Sequence, residues 1–246
     1  MTILGYALGI LIGVTLGLLG GGGAILSVPV LVYILLVPVK AAVPTSLVVV
    51  GLTSLIGMLR HYRAGNVNAH AALVFAPAAA GGSLLGSRLA LLVDSRLQLA
   101  LFAVVLIIAA VRMLQTSTLE QEGEPAPARR LPVLLAIGAG AGLLTGLVGV
   151  GGGFLYVPAL TLLGGLRMKQ AIGTSLALIT VSCAAGLAGY LGQVQLDWTL
   201  IGIFTALALV GVGIGSALVP KVDASKLRRG FALLMLVMGV LVLVRR

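Results

Sequence analysis

The chain has 246 residues, of which 60% are hydrophobic and 9% are charged, and its mean hydropathy is +1.20. This composition excludes an ordinary water-soluble domain, because the outer surface would be too apolar to face water. The net charge of +10 does not indicate nucleic-acid binding. The basic residues lie in short segments between apolar runs, which a positive-inside topology explains. We therefore predict an all-α polytopic membrane protein embedded in a lipid bilayer, with no nucleic-acid partner.

The first apolar run, residues 3–19, predicts a helix that is retained, because it lacks the basic start and small-residue cleavage site of a secretory signal. A run of four glycines interrupts it: Gly20, Gly21, Gly22 and Gly23. The next run, 24–37, is too short to cross a bilayer. The two runs therefore predict a hairpin or re-entrant pair that ends at Pro38.

Three longer apolar runs follow, at 44–59, 71–93 and 97–114. Pro44 suits the first turn of a helix, which would place Thr45 and Ser46 at the helix start. A hydrophilic linker follows, and the second half then has apolar runs at 131–147, 154–163, 173–190, 198–219 and 227–244. Trp198 fits an anchor at the membrane interface.

The two halves repeat one another at a constant spacing. Segment 17–31, GLLGGGGAILSVPVL, corresponds to segment 146–160, GLVGVGGGFLYVPAL. We call the ungapped alignment that places Pro29 on Pro158 the repeat register. In this register the pair Thr45-Ser46 corresponds to Thr174-Ser175. We predict two homologous membrane repeats of about five helical segments each, 1–114 and 132–246, joined by the linker at 115–131.

An odd number of segments per repeat would insert the second repeat upside down relative to the first. If the repeats are inverted, the basic residues divide eleven to five between the two faces; if they are parallel, the division is seven to nine. The bias favours inverted repeats, with the linker in the cytoplasm and both termini outside.

Each glycine run opens a short helix inside an apolar stretch. The first amides of a helix have no partner within it and carry about +0.5 charge of helix dipole, so they can bind an anion. Two inverted repeats would bring two such helix starts toward the membrane midplane. The alternative is that the glycines only permit close helix packing. The glycines predicted to bind substrate are Gly20, Gly21, Gly22, Gly23, Gly149, Gly151, Gly152 and Gly153.

Hydroxyl groups complete the predicted substrate site. Thr45, Ser46, Thr174 and Ser175 follow the two glycine runs at matching distances, and hydroxyls at a helix start can donate to an oxyanion. The alternative is ordinary helix capping.

The remaining polar residues indicate no enzyme chemistry. His61 and His70 are expected to be solvated at loop edges, and the spacing of His, Cys, Asp and Glu indicates no metal site. The lone Cys183 can form no disulfide within the chain. All six carboxylates lie in loops or at the ends of apolar runs, which disfavours cation coupling through carboxylates. We expect no cofactor and no catalytic residue.

The pattern G-x-x-G-x-G-G-x-hydrophobic-x-x-x-P runs from Gly146 to Pro158, and a variant runs from Gly17 to Pro29. It resembles the TauE/SafE sulfite exporter family, of the 4-toluene sulfonate uptake permease type, over essentially the whole chain. The resemblance implies a multi-pass transporter of the bacterial or archaeal inner membrane. Its implied substrates are small sulfur-containing anions such as sulfite, sulfoacetate or other organosulfonates. The first copy departs at Gly21 and Ala24, so the two sites need not be equal.

We interpret the chain as a secondary transporter that exports a small oxyanion by alternating access, and not as an enzyme. One alternative is uptake of the same anions, and another is a non-transporting partner or sensor subunit. An intramembrane enzyme would need a nucleophile paired with a base, and Cys183 has no His, Asp or Glu near it in sequence. Homo-oligomer formation stays open.

Overall fold

The computed structural model describes residues 3–19, 22–115, 131–162, 164–218 and 222–244. These residues form ten α-helices and one π-helical segment, Val30–Ile34, which extends the second helix. No strand occurs among them. The helices are α1 Ile3–Leu19, α2 Gly22–Pro29, α3 Val39–Arg63, α4 Ala69–Leu92, α5 Ser95–Gln115, α6 Leu131–Val148, α7 Gly153–Leu162, α8 Met168–Tyr190, α9 Trp198–Leu218 and α10 Ala224–Val244.

Four of the described helices, α3, α4, α8 and α9, are long and apolar enough to cross a bilayer. Large apolar side chains cover the outside of the bundle, for example Leu73, Leu85 and Leu92, which are 74%, 62% and 84% exposed. An exposed apolar surface of this kind belongs in contact with lipid. The prediction of an all-α polytopic membrane protein is confirmed.

The closest helix pairs join one half of the chain to the other. Helix α4 packs on α6, and α1 packs on α9. Glycines allow the backbones to approach until no room is left for a Cβ, as small residues commonly do in membranes. The contacts in which a Cβ would collide with a backbone carbonyl include Gly142 with Ala79, Gly82 with Ala139, Gly13 with Ala208 and Gly211 with Ile10.

Helices α4, α6 and α8 run in the same direction. Near the starts of α4 and α8, the backbone N–H of Asn68 donates to Thr174 Oγ1 at 2.9 Å. Further along both helices, Ser83 Oγ donates to the Ser182 carbonyl at 2.7 Å. Ser83 also lies against Gly146 of α6, one turn after the contact between Ala79 and Gly142.

Helices α1, α3 and α9 run in the opposite direction. Helix α3 is antiparallel to α8, because Gly51 lies beside Cys183 and Gly57 beside Leu176. Near the ends of α3 and α9, the Arg60 guanidinium donates to the Gly213 carbonyl at 3.0 Å.

Helix α1 is parallel to α9. Gly17, one turn after Gly13, lies beside Val212, one turn after Ala208. The ends of α1, α3 and α9 therefore lie at the same face of the bundle as the starts of α4, α6 and α8.

The Thr-Ser pairs lie inside helices, not at their starts. The sequence places Pro44 in a first turn, but α3 begins at Val39, after Pro38, and α8 begins at Met168. Pro38 has φ −54° and ψ 139°, an extended conformation that starts the helix directly after it. Pro44 is tolerated inside the helix because it removes only one hydrogen bond near the helix start. The hydroxyls of both pairs therefore do not cap the starts of their own helices.

A residue in the left-handed conformation follows each short helix. Leu36, after the π-helical segment, has φ 56°, and Gly165, its counterpart in the repeat register, has φ 65°. A side chain in this conformation costs about 1–2 kcal/mol relative to glycine. Leu36 is 81% exposed, so little packing compensates for the strain.

Replacing Leu36 with glycine should raise the thermal stability. Relief of the strain, about 1–2 kcal/mol, exceeds the extra unfolded-state entropy of glycine, about 0.4–1 kcal/mol. We expect a net gain of up to about 1 kcal/mol, measured by thermal unfolding of the detergent-solubilised protein. Leu36→Ala is the control because it removes the side chain and keeps the strain. An equal gain from alanine would contradict this explanation.

Candidate functional site

The chain turns sharply between α6 and α7. Gly149, Gly151 and Gly152 have φ values of 76°, 64° and 64°, which only glycine adopts without strain. We call residues 149–152 the glycine turn. Helix α7 has ten residues and would extend about 15 Å, half the thickness of the hydrocarbon core. Gly152 packs against Thr145 of α6, as in the hairpin expected from the sequence.

The glycine turn lies at the centre of the bundle. A Cβ on Gly151 would lie 2.7 Å from Val50 Cγ1, 3.0 Å from Ile179 Cγ2 and 3.4 Å from Ala24 Cβ. Val50 and Ile179 lie near the middle of α3 and α8, and Ala24 lies in the first turn of α2. The starts of the two short helices therefore approach each other between the two central helices, where the packing around Gly151 is tight.

The carbonyl end of α6 is capped by donors from four sources. A helix leaves its last four carbonyls without partners, and no bulk water is available inside a membrane. Four of the five carbonyls between 145 and 149 accept a hydrogen bond here. The donors are the Gly149 amide to Thr145 at 2.8 Å, Tyr190 OH to Gly146 at 2.8 Å, Gln98 Nε2 to Leu147 at 2.7 Å and Ser46 Oγ to Gly149 at 2.6 Å.

The backbone amides of the glycine turn differ from its carbonyls. The amides of Val150, Gly151 and Gly152 donate to no acceptor among the described residues. They precede α7, whose dipole places partial positive charge at its start. The turn thus combines capped carbonyls with unpaired amides, an arrangement suited to a negatively charged ligand.

Ser46, one of the residues predicted to bind substrate, contacts the glycine turn directly. It is fully buried, donates to the Gly149 carbonyl and shares a 2.6 Å hydrogen bond with Ser27 Oγ. While it caps Gly149, its proton is not available to an oxyanion. Thr45, beside it in α3, is also buried.

The second Thr-Ser pair lies nearer the opposite face. Thr174 Oγ1 accepts from the Asn68 amide, and Ser175 Oγ donates to the Ile172 carbonyl at 2.8 Å. Of the first glycine run, Gly22 and Gly23 begin α2, whereas Gly20 and Gly21 lie outside the described residues. Of the linker predicted at 115–131, Gln115 ends α5 and Leu131 begins α6, and residues 116–130 lie outside the described part of the chain.

Two polar residues beside the turn were missed by the sequence analysis. Gln98 is 1% exposed, and its only signal is that it stands alone near the start of an apolar run. Tyr156 is fully buried, and its hydroxyl is 2.6 Å from Ser182 Oγ. The repeat register gives no signal for Tyr156, because its counterpart there is not a tyrosine but Ser27.

The expectation that His61 is solvated is wrong. Helix α3 continues through Arg63, which keeps His61 inside the bundle at 3% exposure, with Nε2 3.4 Å from the Gly17 carbonyl. His70 is exposed, as expected. Within the described part of the chain, no three His, Cys, Asp or Glu side chains come together as a metal site.

A cavity of about 420 Å³ lies beside the end of α8. Its lining includes Pro44, Leu187, Tyr190, Gln195 and Trp198. Two of these residues connect it to the glycine turn: Tyr190 caps the end of α6, and Pro44 lies two residues before Ser46 in α3.

Comparison with known proteins agrees with this architecture. The family model described as "Sulfite exporter TauE/SafE" matches residues 5–242. A "Probable membrane transporter protein" of Xylella fastidiosa (strain 9a5c) is 32% identical over 240 residues, which cover 96% of this chain and 92% of that protein. The "Probable membrane transporter protein YdhB" of Bacillus subtilis (strain 168) is 28% identical, with 86% and 89% covered.

An archaeal protein is also similar. The "Probable membrane transporter protein MJ0441" of Methanocaldococcus jannaschii is 30% identical over 189 residues, covering 74% of this chain and 70% of that protein. No solved structure matches the chain. Because the family model spans nearly the whole sequence, this multi-pass membrane protein belongs to the sulfite exporter TauE/SafE family of membrane transporters.

Proposed function

We propose that the protein is a secondary transporter that exports a small sulfur-containing anion, such as sulfite or an organosulfonate, by alternating access. The observation that carries this proposal is the glycine turn, where the carbonyls of α6 are capped and the amides of residues 150–152 are unpaired. The turn lies at the centre of the bundle, beside the start of the other short helix.

The charge of the interior supports an anionic substrate. Among the described residues, no Asp, Glu, Lys or Arg is buried. Backbone amides would therefore have to hold the anion, and each hydrogen bond to a charged group contributes about 1.5–3 kcal/mol. The proposed site comprises the amides of Gly151 and Gly152 and the first amide of α7, that of Gly153. The first glycine run is its proposed counterpart in the other half.

Alternating access needs two halves that can exchange roles in opening to the two membrane faces. We therefore propose that the two repeats are inverted relative to each other. In support, α1, α3 and α9 run opposite to their counterparts α6, α8 and α4. The contact pairs also correspond in the repeat register: Gly142 with Ala79 matches Gly13 with Ala208. In the same register, the Tyr190 cap on Gly146 matches the contact of His61 with Gly17.

The family supports the class of substrate. Its printed description names sulfite export, and the relatives are named as probable membrane transporters. Flux of labelled sulfite or sulfoacetate in vesicles under imposed gradients tests the proposal. Net movement of the labelled anion in the direction of uptake would favour the uptake alternative. No flux of either anion would contradict the proposal.

Replacing Gly151 with alanine should reduce sulfite flux by at least tenfold, the equivalent of about 1.4 kcal/mol. The new Cβ would meet Val50 at 2.7 Å, and φ 64° is strained for alanine, so the turn must move and its amides with it. Flux is measured in proteoliposomes. Gly202→Ala is the matched control, because nothing lies within 4 Å of a Cβ there.

A second measurement separates loss of binding from loss of folding. Sulfite should raise the melting temperature of the detergent-solubilised wild type, because it binds the folded state, and should not change that of the Gly151→Ala protein. An equal sulfite-dependent shift in both proteins would show that the glycine turn does not hold the anion.

Cysteines at Arg63 and Gln195, introduced after Cys183→Ser, should react with an impermeant reagent from opposite membrane faces. Arg63 ends α3, and Gln195 follows the end of the antiparallel α8. The assay uses sealed vesicles of both orientations. Reaction of both cysteines from the same face would rule out inverted repeats.

A further inference from the structure

We propose that the cavity beside Tyr190 and Pro44 is the extracytoplasmic vestibule of the transport route, and that the segment 64–68 forms the closed gate at the cytoplasmic face. This inference rests on the proposed function, because a vestibule needs a route to serve. The anion would enter or leave the route through the vestibule. Particular residues would keep this side open and the other side closed.

The vestibule is connected to the glycine turn along two walls. On one wall, Pro44 leads within two residues to Ser46, whose hydroxyl donates to the Gly149 carbonyl. On the other wall, Tyr190 donates to the Gly146 carbonyl, shortly before the turn. The cavity therefore shares Tyr190 with the caps at the end of α6, and Pro44 places it two residues from the Ser46 cap.

At the other face, segment 64–68 fills the position that corresponds to the vestibule. In the repeat register, Gly173 corresponds to Pro44, and Asn66 corresponds to Gln195. The Asn66 carbonyl lies against Gly173 and leaves no room for a Cβ. The Asn68 amide fastens the same segment to α8 through Thr174 Oγ1 at 2.9 Å.

The difference between the faces follows from one pair of residues. Glycine at 173 allows the backbone of segment 64–68 to lie directly on the first turns of α8. At the other face, the ring of Pro44 occupies the equivalent space, so the segment after α8 cannot approach α3 as closely. Gln195 and Pro44 both line the cavity.

The charges identify the faces. The closed face carries Arg60 and Arg63 at the end of α3, Arg167 before α8, and Lys226 and Arg229 at the start of α10, all exposed. On the open face, Arg88 and Arg96 are exposed beside the end of α4, and Lys40 is half-buried and donates to the Ala90 and Val93 carbonyls there. Basic residues concentrate on the cytoplasmic side of membrane proteins, so the closed face is cytoplasmic.

The vestibule has an uncharged lining. Leu187, Tyr190 and Trp198 provide apolar and aromatic surface. Among the described residues that line it, Gln195 is the one amide side chain and none is charged. A small sulfur anion therefore meets no basic side chain of this lining that would retain it. Selection between anions is left to the amides at the glycine turn.

Cysteine labelling tests the vestibule independently of flux. In a Cys183→Ser background, cysteine replaces Leu187 in the cavity or Met58, its counterpart in the repeat register. Serine suits position 183 because Ser54 occupies the equivalent position in the first half. A charged, impermeant maleimide is applied to vesicles of each orientation.

Leu187→Cys should react from the extracytoplasmic side, and Met58→Cys about tenfold more slowly from the cytoplasmic side, as expected for a gate open in about a tenth of the molecules. Adding Gly173→Ala should raise the reactivity of Met58→Cys, because the new Cβ displaces Asn66. Adding Pro44→Gly should lower the reactivity of Leu187→Cys.

Equal reactivity of the two cysteines, or no effect of Gly173→Ala, would overturn the inference. Sulfite flux together with equal labelling of the two cysteines would agree with the proposed transport function and contradict the vestibule. The expected labelling without flux of sulfite or sulfoacetate would support the vestibule and contradict the proposed substrates. Thermal unfolding of each variant confirms that labelling reports the folded protein.

Discussion

The structure depends on satisfying the polar groups of a helix that ends inside a membrane. The carbonyls at the end of α6 would each cost several kcal/mol if left without a donor in hydrocarbon. Ser46, Gln98 and Tyr190 supply donors from three other helices, so α3, α5 and α8 are all tied to this end. The same ties leave the amides of the turn unpaired, so the structural requirement is also the source of the proposed anion site.

The two halves meet this requirement with different side chains. A phenol at Tyr190 and an imidazole at His61 occupy corresponding positions and contact corresponding carbonyls, at 2.8 and 3.4 Å. Gln98 corresponds to Leu227, so its cap belongs to one half only. A leucine side chain cannot donate a hydrogen bond, so the cap that Gln98 gives the Leu147 carbonyl has no equivalent from position 227.

The sequence was sufficient for the membrane class, the family and the hairpin, because hydropathy, the duplicated motif and the glycine runs are local signals. It misplaced the starts of α3 and α8, because Pro44 looks like a first-turn proline until Pro38 is seen to begin the helix. The roles of Ser46 and His61 depend on which distant carbonyl each side chain meets. Such contacts are set by packing across halves, and no local pattern encodes them.

The interlocking of the halves constrains how the chain is made. Helix α4 finds its closest partner, α6, only after the ribosome has passed the linker, and α1 can pack on α9 only after α9 has been made. Until then the glycine faces of α1 and α4 are exposed to lipid or to the insertion machinery. Neither half can complete its own packing, so assembly within the bilayer must wait until helices of both halves have been made.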